Sequence, residues 1–151
     1  MYSVRRPSLL ASVVATLFLV LAPIAVAPSA SAAETGLQGC RVQVNYPHQS
    51  SHDPDRWNVE FRVYGCASYK TVAISRWVRV SVTYPDGSGG GGGDFAWKYQ
   101  ATLGVPAGSS RSTFYNESCV HGARYTVTVR GLFTIDGRST ELSQSNSFPC
   151  R

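Results

Sequence analysis

The stretch Cys119-Val120-His121-Gly122-Ala123-Arg124-Tyr125-Thr126-Val127-Thr128-Val129-Arg130-Gly131 decides the fold of this chain. From Arg124 onward it alternates. Tyr125, Val127 and Val129 fall on one side, and Arg124, Thr126, Thr128 and Arg130 on the other. A period of two is that of a β-strand with one buried and one wet face. The same reading holds on either side. Val42, Val44 and Tyr46 share a face within 41–46, and Trp57, Val59, Phe61 and Val63 point inward within 56–64. Within 75–84, Val78, Val80, Val82 and Tyr84 lie opposite Trp77, Arg79, Ser81 and Thr83. Phe95, Trp97 and Tyr99 are expected to share a face; short strands follow at 112–115 and 141–148. Gly, Pro, Asn and Asp clusters separate these segments, and no helical periodicity follows residue 34. The expectation is an all-β chain: a two-sheet antiparallel sandwich of about seven strands. The glycine run 87–93, broken by Ser88, reads as a floppy hairpin loop.

The chain has 151 residues, of which 15% are charged and 43% hydrophobic, too few charges and too much apolar surface for a disordered tail. Its start reads as an export signal. Arg5 and Arg6 precede an apolar run from Leu9 to Ala27, and Ala30-Ser31-Ala32 supplies the small residues that signal peptidase needs. Residues 1–32 are therefore read as a cleaved signal peptide, with the cut after Ala32 or Ala33. Residues 33–39 are read as a short flexible N-terminus, and 40–151 as one domain. The mature part, about 118 residues, fits a single domain and holds no second apolar run that would span a membrane. Without Arg5 and Arg6, twelve basic residues face nine acidic ones, a net charge of +3. That field is too weak to argue for nucleic acid. The expected location is secreted, outside the cell.

The residues 119–131 resemble a fibronectin type III domain, itself an immunoglobulin-like β-sandwich. Cys119 takes an apolar position at the end of a strand, and His121 stands where the family has proline. Gly122 keeps the corner, and Tyr125 is the corner tyrosine. Gly137, Ser139, Ser145 and Asn146 are similar to the family's last hairpin and strand, and the resemblance is strongest over 110–148. It implies that the Tyr125 hydroxyl bonds backbone a few residues upstream. In the sandwich so implied, Cys40 and Cys66 lie at one end, and Cys119 and Cys150 at the other. The other two pairings would span about 25 Å of strand, against the ~7 Å between Cα atoms that a disulfide tolerates. The expectation is Cys40–Cys66 and Cys119–Cys150. Structural zinc is not expected, since no Cys-x-x-Cys occurs.

The same topology distributes the remaining chemistry. One loop end gathers His48, His52, Asp53, Asp55, Asp86, Asp94, Glu117 and His121. Asp53-Pro54-Asp55 with the two histidines is the one candidate cation loop, but it lacks calcium-loop spacing and is read as solvated, without metal or cofactor. The opposite end carries Tyr69, Lys70, Arg111, Asp136 and Arg138. Trp77 and Arg79 are expected to project outward beside Arg130. Trp and Arg are enriched at binding hot spots, and flat aromatic faces suit sugar rings. The candidate binding residues are thus Trp77, Arg79, Arg130, Tyr69 and Arg138. Nucleophilic catalysis needs a Ser or Cys beside a His and an orienting acid, and no such motif is present. Paired-carboxylate chemistry needs a cleft, for which so small a sandwich leaves little room. The expected function is a non-enzymatic binding module contacting extracellular protein or polysaccharide. The alternatives are a proteinaceous inhibitor of an extracellular hydrolase, docking through a rigid loop, and an orphan structural domain.

Overall fold

A computed structural model describes residues 32–151. The expected signal segment lies outside the described residues save for Ala32. Two five-stranded antiparallel sheets stack on each other. The first holds β1 (Ala33–Leu37), β2 (Cys40–Val44), β3 (His48–Gln49), β4 (Arg56–Tyr64) and β8 (Ser110–Ser118). The second holds β5 (Lys70–Thr83), β6 (Gly89–Gly91), β7 (Ala96–Val105), β9 (Arg124–Ile135) and β10 (Arg138–Pro149). In the first, β4 is flanked by β8 on one side and by β2 and β3 on the other. In the second, β5 is flanked by β9 on one side and by β7 and β6 on the other. The edges β7 and β8 meet along one seam, and β1 meets β10 along the other.

Alternation builds the core. Val42, Val44, Trp57, Val59, Phe61 and Val63 face Val72, Ile74, Val127, Val129, Phe133 and Ile135, each fully buried. Phe61 crosses to Phe133 with ring centroids 6.5 Å apart. It fits because Gly131 lies beneath it: a Cβ there would come within 2.9 Å of the Phe61 ring. The disulfides are Cys40–Cys66 and Cys119–Cys150, with Cα separations of 3.9 and 6.1 Å, as the sandwich layout implied. The first ties β2 to the end of β4. The second ties the end of β8 to the end of β10 and so links the two sheets. The Tyr125 hydroxyl accepts the Val120 N–H at 2.9 Å, and the Gly122 N–H donates to the Cys150 carbonyl at 2.7 Å.

Three strands go beyond the seven expected. Residues 33–37, expected to be flexible, are β1, paired residue by residue with β2 through a turn at Gln38 and Gly39. Pairing overrides a composition poor in strand formers. Pro47 interrupts the first long strand, so that β3 resumes after it. The glycine run contains β6, laid against Ser81–Thr83. A Cβ on Gly91 would fall on the Val80 carbonyl oxygen, and one on Gly89 would lie 2.7 Å from the Val82 carbonyl oxygen. Absence of side chains is what lets this segment approach β5 so closely.

Candidate functional site

Three of the expected binding residues come together. On the outer face of the second sheet, Trp77 stands opposite Arg130 of β9 on one side and Trp97 of β7 on the other. Trp77 is half-buried and Trp97 is 59% exposed. Phe95, rather than Trp77, is the ring the arginines meet: its centroid is 3.9 Å from Arg130 Cζ and 4.9 Å from Arg79 Cζ. Glu141 Oε1 lies 3.9 Å from Arg130 Nε. The face continues across β9 and β10 as a ladder of hydroxyl pairs, Thr126–Ser147 at 2.7 Å, Thr128–Ser145 at 3.0 Å and Thr134–Ser139 at 2.8 Å. The surface thus passes from aromatic rings, through guanidiniums, to hydroxyls.

Tyr69 and Arg138 do not join this face. Tyr69 is 64% exposed beside Gly104 near the start of β5, and Arg138 opens β10 at the Asp136-Gly137 turn. Lys70 Nζ bridges to Asp136 Oδ2 there at 2.5 Å.

Tyr99 also departs from expectation. The β5–β7 register shifts between Ser75 and Trp77, so that Lys98 and Tyr99 together oppose the single residue Arg76. This bulge turns two consecutive residues toward the same side. Trp97 therefore pairs with outward Trp77, while Tyr99 stacks on inward Arg76, 4.0 Å from centroid to Cζ. Arg76 is fully buried. Its Nη1 donates to the Phe114 carbonyl at 2.9 Å and its Nε to the Tyr99 carbonyl at 3.4 Å, bridging the two edge strands; its Nη2 has no partner among the described residues. The sequence does hold a signal for this residue, since parity alone puts Arg76 on the Ile74 and Val78 face.

Beside the bulge lies a cavity of about 520 Å3, where little room for a cleft was expected. Its floor is Trp57, Val78 and Tyr125, and its lip is Gly91 to Gly93. Asp94, Arg79, Lys98 and Glu117 bring two carboxylates and two cations to it. Glu117, expected in a loop, is the penultimate residue of β8 and pairs across to Trp57. Lys98 Nζ is 3.4 Å from Glu117 Oε1. Hydrogen bonding with Tyr115, together with the Glu117 charge, makes the Lys98 ammonium hold its proton more tightly than usual, against partial burial that works the other way. Burial raises the Tyr115 phenol in turn. The Trp57 indole N–H is fully buried and has no acceptor among the described residues.

His48 lies in β3, and the loop of His52, Asp53 and Asp55 after it is occupied with its own folding. Asp53 accepts the Asp55 N–H at 3.1 Å and pairs with Arg56 at 3.4 Å, and His48 Nδ1 lies 3.1 Å from the Tyr46 carbonyl. No three His, Cys, Asp or Glu side chains among the described residues form a group able to hold a metal ion. No helix among the described residues is long and apolar enough to cross a membrane.

No family model and no curated protein matches the chain. Among solved structures it is similar to the sporulation control protein Spo0M of Bacillus subtilis, at 11% identity and a TM-score of 0.38, over 75% of this chain and 49% of that one. It is also similar to the ApaA protein of Bordetella pertussis, at 13% identity and a TM-score of 0.39, over 72% of this chain and 89% of that one. The chain thus spans about half the length of Spo0M. At these scores neither likeness bears on function.

Proposed function

We propose that this is a secreted, non-enzymatic binding module of fibronectin type III-like fold that holds a polysaccharide outside the cell. The observation that carries the reading is the outer face on which exposed Trp97 lies with half-buried Trp77 and arginine-capped Phe95, beside the Ser and Thr ladder of β9 and β10. A sugar ring presents an apolar C–H face and a rim of hydroxyls. The first stacks on flat aromatic surface, and the second exchanges hydrogen bonds with Arg79, Arg130 and the Ser and Thr hydroxyls. An aromatic contact of this kind contributes about 1 kcal/mol beyond its buried area. The Tyr125 corner supports the fold reading. The two disulfides are consistent with an oxidising compartment and so support export.

The test is retention of the protein on insoluble peptidoglycan, chitin, cellulose and xylan. Retention on one of them is expected, with Trp97→Ala and Trp77→Ala each weakening it about tenfold, a loss of ~1.4 kcal/mol. No release of reducing sugar is expected. Failure to bind any of the four, or retention that both variants leave unchanged, would overturn the reading. Stoichiometric inhibition of a secreted protease or amylase would replace it with the inhibitor.

A further inference from the structure

We infer that the cavity behind the aromatic face receives the end of the bound glycan chain, as a neutral terminal sugar. This deepens the polysaccharide reading and rests on it. Continuity with the face is the first ground. The segment 94–98 serves both surfaces by alternation: Phe95 and Trp97 face outward with Trp77, whereas Asp94, Ala96 and Lys98 line the cavity. Arg79 meets Phe95 and also lines the cavity. The two surfaces thus lie on opposite sides of the edge segment 94–98 and share Arg79.

Chemistry of the lining is the second ground. Two cations and two carboxylates nearly cancel, which disfavours a strongly charged guest and suits a neutral one. Donors and acceptors stand close together, as Lys98 beside Glu117 shows at 3.4 Å. Vicinal hydroxyls, each both donor and acceptor, complement such a pair, whereas an apolar guest would leave these charges desolvated without partners.

Shape is the third. The volume of about 520 Å3 falls within the ~300–1,000 Å3 of small-ligand sites, enough for a terminal sugar. Trp57 and Val78, 0% and 2% exposed, belong to the core, so the cavity is blind at its floor. A chain cannot thread inward through it, and its end is the part the cavity is proposed to take.

The experiment uses the full secreted protein and a polymer on which it is retained, sonicated to raise the number of chain ends at constant mass. Binding capacity should rise in proportion to the ends. The tetrasaccharide of that polymer should bind at least tenfold more weakly to Glu117→Gln, Lys98→Met and Asp94→Asn. Asp94 lies exposed on the rim, so a loss there does not come from unfolding, and unchanged melting temperatures check the other two. If capacity follows mass rather than ends and all three variants bind the tetrasaccharide like the wild type, the inference fails. Loss of retention in Trp97→Ala would then leave the face reading standing. If the wild-type protein is retained on no polymer, both fail together.

Discussion

Replacing Arg76 by methionine tests how the seam between β7 and β8 is held. The guanidinium is fully buried, donates to carbonyls of both edge strands, and has no ion-pair partner among the described residues. The 2.9 Å bond from Nη1 to the Phe114 carbonyl is a charge-assisted one, worth about 1.5–3 kcal/mol. The 3.4 Å bond from Nε is at the limit of useful geometry and adds little. Stacking on Tyr99 at 4.0 Å contributes roughly 1–2 kcal/mol. Against these stands the desolvation of an unpaired guanidinium, which costs several kcal/mol. The two sides nearly cancel. Methionine keeps an apolar stem and sheds both the charge, whose Cζ lies 5.5 Å from the Phe61 ring centroid, and its cost. The Phe114 carbonyl it abandons lies on an edge strand, beside a side chain 52% exposed, where water can replace the lost donor. Arg76→Met should therefore change stability by no more than about 1 kcal/mol, about 4 °C in Tm for a domain of this size. Arg76→Ala loses the stem as well and leaves a hole, at ~2–4 kcal/mol. Urea denaturation of both variants decides. If Met falls as far as Ala, the hydrogen bonds rather than the packing hold the seam, and the cancellation argued here is wrong.

Tyr125→Phe removes the acceptor of the Val120 N–H and should cost about 1–2 kcal/mol in urea midpoint times slope; an unchanged midpoint would show that the corner bond contributes nothing. Replacing Cys119 and Cys150 together by alanine frees a loop of 31 residues and should cost about 3.5 kcal/mol, close to the effect of removing the Cys40–Cys66 link across 26 residues. Thermal melts of the two double variants compare them directly. Lys98 holds its proton more tightly when folded, so its contribution is complete below the unfolded lysine pKa of ~10.4 and disappears as pH rises through the higher folded value. Stability should fall above pH 10, and Lys98→Met should flatten that fall; equal slopes in the two proteins would contradict the assignment.

The sequence shows the fold wherever one face of a strand is buried and the other wet. Trp57 to Val63 and Tyr125 to Val129 alternate because each has a core on one side only, and the cysteine pairing follows from the sandwich layout that the fibronectin type III resemblance implies. Alternation fails as a guide where pairing, rather than side chains, makes the strand. Ala33–Leu37 has little strand character of its own and is held by β2. Gly89–Gly91 has no side chains to alternate, and it pairs because nothing stands in the way. The outer-face residues Trp77, Arg79 and Arg130 were legible from parity. The cavity was not, because its parts come from β4, β5, β7, β8, β9 and the glycine lip, and only the packed sheets bring them together.

One backbone irregularity links both surfaces. Counting back along β7 from buried Val105, the inward positions are Leu103, Ala101 and Tyr99, and strict alternation would next send Trp97 inward. The extra residue opposite Arg76 breaks that count. Lys98 follows Tyr99 on the inward side, and Trp97 and Phe95 turn out to solvent beside Trp77 and Arg130. Without the bulge, an indole would be driven into the space where Lys98 meets Glu117. The aromatic platform would lose its most exposed ring, and the cavity would close. Arg76 sits opposite the bulge, its guanidinium against the Tyr99 ring and carbonyl on β7 and donating to the Phe114 carbonyl of β8. A buried cation with no ion-pair partner among the described residues thus stands at the irregularity that separates the face from the cavity, bridging the two edge strands there.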